Sequence, residues 1–88
     1  MPKNMKDSIT LYEVEAKGRY HEHWLALSPV DAARRAISHA LELGLKLDRV
    51  KVSSMVQPED AGNGGLAYVL NNTRNYAVIH GRVRRADR

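Results

Sequence analysis

Metal or nucleophilic chemistry in this chain has four histidines and no cysteine to draw on. Two of the histidines stand as His21-Glu22-His23. In a strand, residues two apart project from one face, so His21 and His23 can turn two imidazoles toward one metal ion. The surrounding sequence supplies no third ligand. Glu22 projects to the opposite face, and only the fold can bring His39 or His80 near. The expectation is surface histidines beside a strand end, with no metal site and no cofactor.

Acid–base catalysis needs a pocket that shifts the pKa of a carboxylate or an imidazole, and the sequence signposts none. Asp31 serves a helix start, Glu59 and Asp60 fall in a loop, and Glu13 and Glu15 read as a solvated strand face. Ser53-Ser54 lacks the glycine pattern of a nucleophile elbow. Gly62-Asn63-Gly64-Gly65 lacks the Lys-Ser/Thr of a phosphate-binding loop and precedes a strand instead of a helix. The chain is expected not to be an enzyme.

Arginine offers a different chemistry. The net charge of +4 comes from 14 Lys plus Arg against 10 Asp plus Glu, and it is unevenly spread. Residues 1 to 27 carry four charges of each sign, whereas from Asn71 onward Arg74, Arg82, Arg84, Arg85 and Arg88 face only Asp87. A basic end of this kind attracts phosphates or an acidic protein surface, or simply keeps the protein soluble. Arg82, Arg84 and Arg85 follow a stretch carrying Tyr76 and His80, and basic strands with interleaved rings can hold RNA or single strands. Arg34, Arg35, Lys46, Arg49 and Lys51 form a second basic cluster. Arg34 and Arg35 can also spend their charge along the helix, on Asp31 and Glu42.

These residues must be positioned by a small body. Eighty-eight residues bury only about 60 to 65% of their unfolded surface, which fits one domain spanning 1–88. With no Phe, one Trp and four Tyr, the core falls to Leu, Val, Ile and Ala, and a homodimer would relieve the shortage. The absence of cysteine suits a reducing cytoplasm. No apolar run approaches the roughly 18 residues of a membrane span or follows the N-terminal lysines as in a signal peptide.

One helix is sharply delimited. Ser28 is its N-cap, Pro29 takes the first helical position, Asp31 the capping acid position, and Gly44 its left-handed end with Leu45 folding back. Val30, Ala33, Ile37, Ala40 and Leu41 share its apolar face, with Asp31, Arg34, Arg35, Ser38, His39 and Glu42 on the rest. Around it the sequence alternates at period two. Residues 9–16 and 20–27 form a hairpin across Lys17-Gly18-Arg19, with Trp24 turned inward toward the helix. Val50, Val52, Ser54 and Val56 form one face of a third strand. Residues 57–65 read as a flexible loop, and 66–70 and 76–83 as a second hairpin across Asn71 to Asn75. Flexible ends are expected at 1–7 and 85–88. The result is an α+β fold, one helix on an antiparallel sheet of about five strands, in the order β-β-α-β-β-β.

This layout, with Ala26-Leu27-Ser28 closing a strand pair, Ala32-Ala33-Arg34-Arg35-Ala36 in the helix, a strand over 50–56, a Gly-rich break and a terminal hairpin, resembles several small type I anti-CRISPR proteins of phages. The resemblance implies a non-enzymatic inhibitor that binds a CRISPR effector complex or its nuclease in the host cytoplasm and blocks DNA targeting. The basic end favours contact with an acidic protein patch or bound nucleic acid over mimicry of DNA. The chain also resembles small ribosomal proteins with a β-β-α-β core, which implies an RNA- or DNA-binding role for the Arg-rich end. On either reading the partner-binding residues are Arg82, Arg84 and Arg85, then Arg34, Arg35 and Lys51, in a monomer or homodimer.

Overall fold

The structure, a computed structural model, describes residues 9–56 and 69–86. The segments expected to be flexible at 1–7 and 57–65, the start of the fourth expected strand at 66–68, and residues 87 and 88 lie outside the described residues. Five strands and one helix follow in the order β1 (Thr10–Ala16), β2 (Tyr20–Ala26), α1 (Pro29–Glu42), β3 (Arg49–Val56), β4 (Val69–Ile79) and β5 (Arg82–Arg85). The sheet is antiparallel throughout and runs β2-β1-β3-β4-β5 across. This is the α+β architecture read from the sequence. No helix among the described residues is long and apolar enough to cross a membrane.

Helix α1 starts and stops where the sequence places it. Asp31 N donates to Ser28 Oγ at 3.1 Å, and the Asp31 carboxylate in turn accepts from Leu27 N at 3.0 Å. Two otherwise orphaned N–H groups are thereby satisfied. At the other end Gly44 has φ +82°, Gly44 N donates to Leu41 O and Leu45 N to Ala40 O, the paired bonds of a Schellman end.

The helix packs on one face of the sheet. Ala32, Ala33, Ala36 and Ala40 are fully buried and bring its backbone close to Tyr12, Val14, Ala16, Tyr20, Val50, Val52 and Tyr76. The expected apolar stripe is thus corrected. Leu41 is 57% exposed, and Ala32 and Ala36 take the core positions instead. A seam of alanines lets the sheet's tyrosines fill the space that Phe or Leu would occupy in a larger core. Trp24 is inward as expected, partly buried against this cluster.

Strands β3 and β4 depart from plain alternation. Val52 pairs with Arg74 but Ser54 pairs with Asn71, so the two residues Asn72 and Thr73 oppose the single Ser53. Asn72 adopts φ +53°, which makes this a bulge with its left-handed residue on β4. The extra residue inverts the facing of β4 beyond it. Ser53 is buried and meets Thr73 Oγ1 at 2.8 Å through its hydroxyl, whereas Val56, placed by alternation on one face with Val50 and Val52, is 43% exposed.

The second hairpin is therefore not where the sequence suggested. Residues 71–75 lie within β4, and the chain turns at His80-Gly81, with φ +52° and +77°. Ile79 pairs with Arg82 across this two-residue loop. Two successive left-handed residues define the tight turn that matches strand twist. The asparagines do supply left-handed geometry, but one of them spends it on a bulge.

Candidate functional site

The turn at Gly81 decides where the C-terminal arginines go. Arg82, Arg84 and Arg85 do not prolong the strand that carries Tyr76; they form β5, which returns beside it as an edge of the sheet. Val83 packs toward the core, while Arg82 and Arg84 alternate away from it. Arg34 reaches from α1 to the same edge. Arg34, Arg82 and Arg84 line one surface depression with Gly81 and Val83, and no carboxylate is among its lining residues. Three arginines around one concavity suit a phosphate or a carboxylate, because a guanidinium presents a planar fork of donors.

The other expected partner-binding residues separate from this group. Arg85 sits opposite Tyr76, on the alternate side of β5, and it is part of the strand, with Ala86 N donating to Asn75 O at 2.8 Å. Arg85, expected to open a flexible end at 85–88, is thus the last residue of β5. Arg35 is drawn to Asp31, its Nε 3.3 Å from the carboxylate, as the helix spacing suggested. Backbone donation from Leu27, then the Arg35 guanidinium, outweighs burial and holds the Asp31 carboxyl below its ordinary value. Lys51 lies 3.8 Å from Glu15 on the neighbouring strand.

The face of the sheet away from α1 has no element over it among the described residues. Across it, Arg49 of β3 stands opposite Ala77 of β4, which stands opposite Arg84 of β5. Ala77 is 7% exposed and lies outside the main core cluster, flanked by these two arginines. Arg49 thus joins the basic end of the sheet, a role the sequence hinted at only through the charge cluster around it.

The rings are elsewhere. Tyr76 is buried against α1, and Tyr12 and Tyr20 are buried with it. The expected interleaving of Arg with an accessible Tyr76 is corrected, because both flank one strand pair but Tyr76 faces the core. His80 occupies the turn.

Histidine 39, expected on the polar side of α1, instead faces the sheet. The Tyr20 hydroxyl lies 2.8 Å from His39 Nδ1, and Trp24 Nε1 donates to the same hydroxyl at 3.0 Å. Burial pushes the Tyr20 phenol above its ordinary value despite the opposing hydrogen bond from Trp24.

At the opposite edge of the sheet, Glu13 keeps the outward face read from the sequence but is largely covered there. Its side chain is only 16% exposed, and its Oε2 lies 2.6 Å from His21 Nε2. His23 stands directly across from Glu13 in the β1–β2 register. The sequence concealed the contact with His21 because that residue belongs to another strand, eight residues away.

Set against known protein families, characterised proteins and solved structures, the chain matches none of them.

Proposed function

We propose that this protein works without catalysis, by docking the basic edge of its sheet onto an anionic macromolecular surface. The observation that carries this reading is the depression lined by Arg34, Arg82 and Arg84 without an acid among its lining residues. A surface of this charge attracts carboxylate- or phosphate-rich partners over a distance of about 8–10 Å at ordinary salt, and arginine then forms the directed contacts. The inhibitor of a type I CRISPR effector complex implied by the chain's layout is the specific form of this proposal. Arg82→Glu combined with Arg84→Glu abolishes capture of such a complex and restores DNA targeting. Capture and inhibition that survive both charge reversals overturn it.

A second reading, direct binding to a nucleic-acid backbone, is favoured by the row in which Arg49 and Arg84 flank Ala77. It is a backbone reading, since Tyr12, Tyr20 and Tyr76, the tyrosines among the described residues, are buried. Affinity for duplex DNA or RNA then falls by about tenfold or more between low and physiological salt. A gel shift with no complex at low salt excludes it.

A further inference from the structure

The β1–β2 pair gathers three metal-ligating side chains of mixed type on one spot. Glu13 of β1 and His21 and His23 of β2 each offer a ligand atom, and these atoms all lie within 4.8 Å of one another. We propose that Glu13, His21 and His23 form a binding site for a divalent transition-metal ion of the zinc class. The site is at the β2 edge, remote in strand order from the arginines of β5, and does not depend on their role.

The backbone does most of the positioning. His21 and His23 lie two apart on one strand and share its outward face, and their ring centroids are 5.9 Å apart. The antiparallel register sets Glu13 opposite His23 and Glu15 opposite His21, so one carboxylate stands beside each imidazole. Glu13 reaches diagonally to His21 Nε2, while Glu15 has the Lys51 ammonium 3.8 Å away. The site therefore draws one carboxylate, not two, and keeps the mixed nitrogen and oxygen set that zinc-class ions prefer over calcium or magnesium.

Distances allow closure without moving the strands. Ligand atoms bound to one ion at about 2.0–2.2 Å stand roughly 3.0–3.5 Å from each other. Glu13 and His21, 2.6 Å apart, are already closer than this, and on binding the ion displaces the proton between them to solvent. The histidines are exposed, with the His21 side chain 55% accessible, so rotation about their side-chain bonds brings His23 in. Three protein ligands leave at least one position for water or for a donor from another molecule.

The test uses the full chain, freed of any histidine tag, titrated with Zn2+ by calorimetry and with Co2+ followed by its visible absorption. The expected result is saturable 1:1 binding that weakens by at least about tenfold in each of His21→Ala, His23→Ala and Glu13→Gln, and is unchanged in His80→Ala. Circular dichroism confirms that each variant is folded. The two histidines are exposed, so their variants carry the test even where Glu13→Gln disturbs packing. No saturable uptake by the wild-type chain, or wild-type affinity in a folded variant of any of the three ligands, overturns the site.

Discussion

The hydroxyl of Tyr20 on β2 lies 2.8 Å from Nδ1 of His39 on α1, and this contact joins helix to sheet inside an otherwise apolar layer. Trp24 Nε1 can only donate, so the Tyr20 oxygen accepts from it while the same hydroxyl hydrogen-bonds His39 Nδ1. The Trp24 and His39 rings meet edge to face at 5.3 Å, and those of Tyr20 and His39 at 5.8 Å. A single polar chain thus sets where the C-terminal half of the helix rests on β2.

Tyr20→Phe keeps the ring and removes the hydroxyl, leaving Trp24 Nε1 and His39 Nδ1 without their shared partner. The cost is about 1–3 kcal/mol, because partly buried partners lose their bonds. Thermal unfolding followed by circular dichroism reads this as a midpoint lowered by several degrees, roughly 4–8 °C per kcal/mol for a chain of this size. An unchanged midpoint contradicts the link.

The alanine seam makes an opposite demand on volume. Ala36→Leu forces the helix away from the sheet and costs about 1–3 kcal/mol. Leu41→Ala, on the exposed side of the same helix, changes stability by no more than about 0.5 kcal/mol. Urea denaturation of the two variants checks both. A reversed order restores the stripe read from the sequence.

Asp31 gives the fold a dependence on acid. Its carboxyl is held below the ordinary value of 3.8, so the charged form is favoured in the folded state and its contribution is complete above that value. As the pH falls below about 4 the unfolded chain takes up the proton first, and the contribution is lost on the way down to the folded pKa. The stability gap between wild type and Asp31→Asn accordingly narrows from neutral pH toward pH 2–3. Denaturant unfolding at a series of pH values measures it, and a gap that widens in acid contradicts the assignment.

The β4–β5 turn responds to backbone geometry alone. Gly81 has φ +77° with open space around its Cα, so Gly81→Ala is strained by conformation and not by contact. It costs about 1–2 kcal/mol. His80→Asn, at φ +52°, places a residue better suited to left-handed geometry and raises stability. Hydrogen exchange at β5 reports both changes, and protection that is indifferent to Gly81→Ala rules out the tight turn.

Local grammar in the chain determined much of this protein. Ser28, Pro29, Asp31 and Gly44 specify the helix through bonds made within a few residues, and alternation specifies β1, β2 and the hairpin between them. The α+β class follows from these alone. The asparagines at 71, 72 and 75 illustrate the limit, because left-handed tolerance is a property of the residue whereas its use in a turn or a bulge depends on the partner strand. His80-Gly81 carried a tight-turn signal that the Asn-rich segment outweighed.

Tertiary structure decided the rest by bringing separated residues together. Only the bulge opposite Ser53 fixes which way β4 faces, only the turn at Gly81 brings Arg82 and Arg84 beside Arg34, and only strand pairing sets Glu13 against His21 and His23. The physical reason is common to all three. Caps and turns are stabilised by neighbours in sequence, but a shared face or a converging set of ligands depends on register, which is set by packing across the sheet.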